Sequence, residues 1–188
     1  NGYMDFYIGG SSGYAGIFYY QNSEGNFFVG PSQPWSSDKY SEDTDALFID
    51  IDNDLDLDLY VASGSNEWEI NSIKYNDRIY INDGNGIFSK TNDILPEMLI
   101  STSCVVESDY DLDGDMDLFI GARSIARQYP LPASSVLLEN KDGKYVNITD
   151  NVAPLLNKIG MVTDAIWSDI NLDGYDDLLV VGEWMTIH

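Results

Sequence analysis

The sequence has little of the material that many kinds of functional site require. It contains one cysteine, Cys104, which excludes an internal disulfide and a thiolate zinc cluster. Its one histidine, His188, stands at the last position, so histidine-based acid–base chemistry has almost nothing to work with. No apolar stretch reaches the roughly 18 residues of a membrane-spanning helix, and we expect no membrane insertion. Any chemistry of this chain must therefore come from its carboxylates.

Positive charge is also scarce. The 188 residues include 9 Lys and Arg against 32 Asp and Glu, which gives a formal net charge of −23. A protein that binds phosphates needs clustered cations, so we expect no nucleic-acid partner. The hydrophobic content of 44% and the aromatic content of 13% nevertheless predict a folded core rather than an acidic disordered tail.

A repeat of about 60 residues organises the chain. Three aspartate-rich segments align without gaps at spacings of 59 and 60 residues: loop 1 (50–58, DIDNDLDLD), loop 2 (109–117, DYDLDGDMD) and loop 3 (169–177, DINLDGYDD). An apolar run follows each segment, and the N-terminal MDFYIGG has the same ending. Asp5 is therefore interpreted as the last ligand position of an incomplete fourth loop.

A second element repeats in phase with the first. The segments YYQNSEGNFF from Tyr19, IYINDGNGIF from Ile79 and VLLENKDGKY from Val136 place apolar residues on both sides of an Asn, Asp and Gly cluster, which predicts a hairpin. Each period then supplies about four strands, and in one unit we expect them at 46–50, 57–63, 78–82 and 87–90.

Four antiparallel strands per tandem unit are typical of a β-propeller blade, with a solenoid as the alternative. We predict an all-β chain that is a propeller fragment of about three four-stranded blades with calcium loops between strands. The expected blades are 45–104 and 105–164, preceded by a partial blade at 1–44 and followed by the start of another at 165–188. Since propellers have roughly 4 to 8 blades, we expect a fragment or an assembly of copies through exposed sheet edges.

The three loops have the ligand pattern of a hard cation. Positions 1, 3, 5 and 9 carry side-chain oxygens, and position 7 offers a backbone carbonyl. Calcium is favoured because it accepts six to eight flexible oxygen ligands, whereas magnesium demands a small octahedron. We expect two to three calcium ions, bound by Asp50, Asp52, Asp54, Asp56 and Asp58 in loop 1, by Asp109, Asp111, Asp113, Asp115 and Asp117 in loop 2, and by Asp169, Asn171, Asp173, Tyr175 and Asp177 in loop 3.

The loops have two alternative interpretations. An EF-hand requires a Glu at position 12, but that position holds Val61, Ile120 and Val180, each in an apolar strand. A solvated acidic turn is the other interpretation, and three copies in register argue against it.

We expect the loops to differ in affinity. Loop 2 has Gly114 at position 6 and should bind best. Loop 3 keeps a glycine there but has Asn171 in place of a carboxylate, which lowers the ligand charge. Loop 1 is doubtful because Leu55 occupies position 6, where a positive φ would carry a penalty for a bulky residue.

The loops resemble the FG-GAP or VCBS repeats of integrin-α-like propellers, whose pattern is DxDxDGxxD between two strands. More narrowly, the segments SEDTDALFIDIDNDLDLDLYVASG and IGMVTDAIWSDINLDGYDDLLVVGEW are similar to bacterial VCBS-repeat proteins that often carry an ASPIC/UnbV segment, and to cartilage acidic protein. The resemblance implies a secreted or surface-attached propeller of seven or eight blades, with calcium on the loop positions and no established enzymatic activity. The chain departs from the pattern at Leu55, in its blade number and in lacking an ASPIC/UnbV segment.

Four further residues are ligand candidates. Trp35 and Trp68 lie in long segments between strands and are expected in exposed contacts, whereas Trp167 and Trp184 lie in or beside strand patterns and are expected in the core. Arg123 and Arg127 are two cations in an acidic protein. They either pair with neighbouring carboxylates or bind an anionic group such as a uronate.

Together these features predict a binding or adhesion scaffold for a protein or polysaccharide ligand, on a bacterial cell surface or outside the cell, with the periplasm included. The alternative is the propeller of a calcium-dependent polysaccharide lyase, and a third interpretation is a structural spacer.

Overall fold

The computed structural model describes residues 2–31 and 33–186; Asn1 and His188 lie outside the described residues. Within that part of the chain, thirteen strands form four antiparallel sheets. Sheet 1 consists of β1 (Phe6–Ile8), β2 (Ile17–Gln21) and β3 (Phe27–Val29), and sheet 2 of β4 (Asp43–Ile49), β5 (Asp58–Ser63), β6 (Arg78–Asn82) and β7 (Phe88–Thr91). Sheet 3 consists of β8 (Thr102–Ser108), β9 (Asp117–Ala122), β10 (Val136–Asn140) and β11 (Tyr145–Asn147), and sheet 4 of β12 (Met161–Ser168) and β13 (Asp177–Glu183).

Helical structure is confined to short connections. The described residues contain one helix of four residues, α1 (Thr149–Val152), and three 3-10 turns, Pro34–Ser37, Ile73–Tyr75 and Pro154–Lys158. Among residues 2–31 and 33–186, no helix has the length and hydropathy of a membrane span.

The all-β prediction is confirmed, and the strands of sheet 2 begin and end within a few residues of their predicted positions. The predicted hairpins are also present as β2–β3, β6–β7 and β10–β11. Their turns use glycines at positive φ, including Gly84 at 77° and Gly143 at 79°, which a residue with a Cβ would rarely adopt. The first strand of each later sheet starts a few residues before the predicted blade boundary. In the described part of the chain all four sheets are open, and their arrangement as the blades of a propeller stays a prediction.

The sheets pack on one another in chain order, and alternate residues of a strand face opposite neighbours. In β5, Leu59 and Val61 belong to the core shared with sheet 1, whereas Tyr60 and Ala62 belong to the core shared with sheet 3. The same alternation in β9 places Phe119 against sheet 4. Strands β5 and β9 are buried along their whole length, which explains why their sequences are continuously apolar rather than alternating.

Hydroxyl side chains join the first strands of neighbouring sheets. The register shifts around Thr44 in β4, Ser103 in β8 and Thr163 in β12, which marks a bulge at the same place in each repeat. The Thr44 hydroxyl donates to the carbonyl of Thr102 at 2.9 Å, and the Ser103 hydroxyl donates to the carbonyl of Val162 at 2.8 Å. These bonds hold β4, β8 and β12 side by side.

Two tryptophan predictions are wrong. Trp35 is only 3% exposed, because the 3-10 turn that carries it folds the ring into the aromatic core between sheets 1 and 2, 5.5 Å from the ring of Tyr80. It therefore presents no surface for an exposed contact. Trp184 was expected in the core but is 78% exposed, because it lies in the turn after β13. Its ring lies beside the ring of Tyr129.

Candidate metal centre

The three aspartate loops occupy equivalent places in the fold. Each connects the first and second strands of a sheet, between β4 and β5, β8 and β9, or β12 and β13. Position 1 follows the end of the first strand, and position 9 is the first residue of the second strand. Two antiparallel strands thus bring positions 1 and 9 together at one end of the sheet.

The loops share one backbone conformation. Positions 4 and 6 have positive φ in every loop: Asn53 (61°) and Leu55 (74°), Leu112 (61°) and Gly114 (101°), Leu172 (64°) and Gly174 (91°). These left-handed residues curl the chain so that the position 6 N–H donates to the position 1 carboxylate. The bonds are Leu55 to Asp50 at 3.0 Å, Gly114 to Asp109 at 3.1 Å and Gly174 to Asp169 at 2.9 Å.

This curl gathers three carboxylates in each of two loops. The groups are Asp50, Asp52 and Asp58 in loop 1 and Asp109, Asp111 and Asp117 in loop 2, and within each group one oxygen per residue lies within 4.8 Å of the others. In loop 3, Asn171 occupies position 3, so an amide oxygen accompanies Asp169 and Asp177 at those positions. Among the described residues, these two acidic groups could hold a metal ion.

The position 5 carboxylates Asp54 and Asp113 are not members of the two acidic groups, and the position 5 carboxylate of every loop bonds to the loop backbone through one oxygen. Each accepts an N–H from position 7: Asp54 from Asp56 at 3.0 Å, Asp113 from Asp115 at 3.0 Å and Asp173 from Tyr175 at 2.9 Å. The Tyr175 side chain is 54% exposed, so only its backbone carbonyl is a plausible ligand group.

Position 9 is the buried end of each acidic group. Asp58 is fully buried and Asp117 is 1% exposed. Burial raises the pKa of Asp58 and of Asp117 to about 6, because the ionised carboxylate loses hydration there, although hydrogen bonds from backbone N–H groups partly offset this. The donors from the hairpins are Asn82 and Asn140, each at 2.8 Å, and the N–H of Ile51 also donates to Asp58 at 3.1 Å. Sequence analysis missed these two residues of the hairpins, because a backbone donor leaves no signal in residue type.

Among the described residues, loop 2 has two buried carboxylate oxygens without a hydrogen-bond partner, and loop 1 has one, Asp56 Oδ1. Asp109 Oδ1 and Asp117 Oδ2 are buried and have no hydrogen-bond partner among the described residues. A buried carboxylate oxygen without a partner is costly, and a cation between the two oxygens would satisfy both. The oxygen-only ligand set suits a hard ion such as calcium and does not suit zinc.

The N-terminal segment repeats part of this geometry. Gly2 has a φ of 79°, like position 6 of the other loops, and Asp5 accepts the N–H of Gln21 at 2.9 Å, as position 9 does in loops 1 and 2. This parallel supports the interpretation of Asp5 as a position 9 residue.

Loops 1 and 2 contact each other directly. The side-chain amide of Asn53 donates to Asp115 at 2.7 Å, and the side-chain amide of Asn140 donates to the carbonyl of Ile51 at 3.4 Å. Asn140 therefore touches loop 1 through its side chain and the Asp117 carboxylate of loop 2 through its backbone.

The remaining ligand candidates lie away from the loops. Arg123 follows the far end of β9 and forms an ion pair with Glu183 at 2.5 Å. Arg127 pairs with Glu69 and donates to the carbonyl of Glu67. Both guanidinium groups are about half exposed. Pairing with carboxylates was one of the two roles expected for them.

Trp68 is half-buried rather than an open platform. Its backbone N–H and carbonyl both bond to the Tyr75 hydroxyl, and its ring nitrogen is buried without a partner among the described residues.

Comparison with known proteins adds no assignment. No family model matches the chain, and a search of curated proteins also finds no match. The resemblance carried by the loop motifs therefore stays a prediction. The fold and the site establish a general class of protein. Its described residues form an all-β chain of four open antiparallel sheets, with two acidic groups that could hold a metal ion.

Proposed function

We propose that this chain is a calcium-binding segment of a β-propeller that acts as a binding or adhesion scaffold for a protein or carbohydrate outside the bacterial cytosol. The observation that carries the calcium assignment is Asp117, whose side chain is 1% exposed and whose Oδ2 has no partner among the described residues. Burial of such an oxygen costs free energy, and a bound cation would remove that cost.

The packing of the sheets supports the propeller. Two complete sheets have four antiparallel strands in chain order, and the first strands β4, β8 and β12 lie beside one another. A radial array of blades places the first strands together at its axis. The repeated hydroxyl bonds from Thr44 and Ser103 to the next sheet are what such an array requires.

Affinity should fall from loop 2 to loop 3 to loop 1. Loop 2 combines three clustered carboxylates with Gly114, loop 3 has one amide in place of a carboxylate, and loop 1 places Leu55 at a positive φ. Extracellular calcium is about millimolar, so a site that binds 10 to 100 times more tightly contributes about 1.4 to 2.7 kcal/mol to stability by mass action. Cytosolic calcium would leave such sites largely empty, which is why we place the protein outside the cytosol.

No observation favours the polysaccharide lyase alternative. That alternative assigns Arg123 and Arg127 to an acidic sugar, and each guanidinium already pairs with a glutamate. A scaffold requires no free arginine.

The first experiment measures the metal content of the purified chain and its thermal unfolding in calcium and in chelator. We expect two to three calcium ions per chain and a large drop in melting temperature on chelation. An unchanged melt and no bound calcium would overturn the calcium assignment.

The second experiment replaces Asp117 with Asn, which keeps the size of the side chain and removes its charge. In chelator, Asp117→Asn should be at least as stable as the wild type, because a buried charge is gone. In calcium it should lose one site's stabilisation, a fall of about 3–10 °C in the calcium-induced shift. The matched control is Asp93→Asn, the same charge change at an exposed residue, which should leave that shift intact. Equal calcium shifts in wild type and Asp117→Asn would contradict the assignment of loop 2.

A further inference from the structure

A polar cleft lies at the end of the sheets opposite the aspartate loops. Its volume is about 440 Å³, within the range of small-molecule sites, which is roughly 300–1,000 Å³. Sheets 2, 3 and 4 contribute to it at the beginnings of their first strands and beyond the ends of their second strands. In the described part of the chain ten residues line the cleft; all are polar, and seven of them are serine or threonine.

Several of these hydroxyls have their hydrogen committed and their lone pairs available. Thr44, Ser101 and Ser103 donate to the backbone carbonyls of Thr102, Ser65 and Val162, respectively, at 2.8–2.9 Å. A hydroxyl oxygen that donates once can still accept further bonds. The cleft therefore offers fixed acceptors, held in place by the contacts between sheets.

Ser124 is the residue that points to a ligand. It is 6% exposed, and its hydroxyl makes no hydrogen bond to any described residue although it lines the cleft. The hydroxyl oxygen is not one of the enclosed unpartnered atoms of the described residues, so it is open to the cleft and can donate to and accept from a bound molecule.

The charges at the cleft indicate what kind of molecule this is. Arg123 and Glu183 form an ion pair at 2.5 Å, with side chains 49% and 34% exposed, and both line the cleft. Together they present donors and acceptors without net charge. Since the chain carries a net charge of −23, an anionic ligand would also be repelled by the protein as a whole.

We propose that this cleft binds a neutral sugar. Each sugar hydroxyl is both a donor and an acceptor, so it complements the Ser124 hydroxyl, the threonine and serine oxygens and the Arg123–Glu183 pair. No aromatic residue lines the cleft among residues 2–31 and 33–186, so recognition is by hydroxyl groups on the ring edge rather than by stacking. This cleft would be the carbohydrate-binding site of the proposed scaffold, and its biological role rests on that proposed function. Sugar binding there does not involve the residues of the calcium loops.

In the test, the chain is titrated in the presence of calcium with glucose, galactose, mannose or glucuronate. Binding is measured by saturation-transfer NMR and calorimetry. We expect at least one neutral sugar to bind with a dissociation constant of about a millimole per litre, as suits a ligand of this size. Ser124→Ala should weaken that binding about fivefold, the value of one hydrogen bond. Ser134→Ala is the matched control, since Ser134 is exposed and lies outside the cleft, and it should bind as the wild type does.

A second variant tests the role of the ion pair. Glu183→Gln leaves Arg123 without its carboxylate, so it should raise the affinity for glucuronate relative to the neutral sugars. Thermal melts confirm that each variant folds, and calcium titrations are run on the same samples.

The outcomes separate this proposal from the calcium assignment. Absence of binding by all three neutral sugars, or tighter binding of glucuronate to the wild type, would overturn the neutral-sugar site. Equal weakening by Ser134→Ala would overturn its location. If the chain binds calcium but no neutral sugar, the sugar site is overturned and the proposed metal function stands. If it binds a neutral sugar but no calcium, the result counts against the metal function alone.

Discussion

Leu55 is a bulky residue in a conformation that favours glycine. Its φ of 74° places it in the left-handed region, where the equivalent residues of loops 2 and 3 are Gly114 and Gly174. For a residue with a Cβ this region costs about 1–2 kcal/mol. The side chain is 94% exposed, so no packing compensates for the strain.

Leu55→Gly should therefore raise the calcium affinity of loop 1. Relief of about 1 kcal/mol corresponds to about a fivefold gain. The measurement is a calorimetric titration with calcium. The dissociation constant of the weakest resolved site is compared, because we expect loop 1 to be that site. Affinity is a better readout than stability, because glycine also increases the entropy of the unfolded chain.

Leu55→Ala is the matched control for this prediction. Alanine removes the same exposed side chain but keeps the Cβ that causes the strain, so it should give little or no gain. Equal effects of the glycine and alanine variants would show that backbone strain does not limit loop 1.

At the scale of the loops and hairpins, the two acidic groups are not independent. The Asn53 side chain of loop 1 donates to Asp115 of loop 2, and the Asn140 side chain, next to Asp117, donates to the loop 1 backbone at Ile51. A ligand that orders one loop therefore orders part of the other. Thermodynamic linkage requires such coupling to act equally in both directions.

Asn53→Gly should lower the calcium affinity of loop 2, although residue 53 belongs to loop 1. Glycine tolerates the φ of 61° at this position and removes only the side-chain bond, so we expect a loss of about two- to fivefold. Calorimetric titration of the tightest site measures it. By reciprocity, calcium bound in loop 1 should raise the affinity of loop 2 by the same factor as calcium bound in loop 2 raises that of loop 1.

The control for Asn53→Gly is Leu172→Gly in loop 3. It makes the same backbone change at position 4, where the side chain has no amide to bridge to another loop. Loop 2 should bind calcium unchanged in this variant. An unchanged loop 2 in Asn53→Gly would show that the bridge carries no coupling.

The elements that sequence analysis predicted are those whose cause is local. Turn glycines and the aspartate pattern located the hairpins and loops, since both effects act within about ten residues. The side chains of Trp35 and Trp184 were misplaced because their burial depends on which sheet packs over them. The hydroxyls of Thr44, Ser103 and Thr163 do recur at spacings of 59 and 60 residues, so that signal was present in the sequence, but its meaning lies in a contact between sheets.

At the scale of the whole molecule, buried carboxylates oppose folding at neutral pH when no cation is bound. Burial raises the pKa of Asp58, Asp77 and Asp117 to about 6 each. A carboxyl group with a pKa higher in the folded than in the unfolded chain gives stability that is present below about pH 4 and is lost as the pH rises through 6. The metal-free protein should therefore gain stability from these groups as the pH falls from 7 towards 4.

Asp77 allows this effect to be isolated, because it lies outside the metal loops and joins sheets 2 and 3. It accepts the Ser63 N–H at 2.6 Å through one oxygen, and the hydroxyls of Tyr60 at 2.6 Å and Thr102 at 2.9 Å through the other. Asparagine can keep this network, since both hydroxyls can rotate to accept from its amide. Asp77→Asn should therefore stay folded and lose the pH dependence that belongs to Asp77, at most about 3 kcal/mol between pH 4 and 7.

The measurement is denaturant unfolding of wild type and Asp77→Asn in chelator at several pH values. The other carboxylates are common to both proteins, so the difference between the two curves reports Asp77 alone. The variant should gain stability relative to the wild type as the pH rises from 4 to 7, because the wild type must then bury a charge between two sheets that the variant does not carry. A difference that is constant with pH would mean that Asp77 is ionised in the folded protein throughout this range, and that its three donors outweigh its burial.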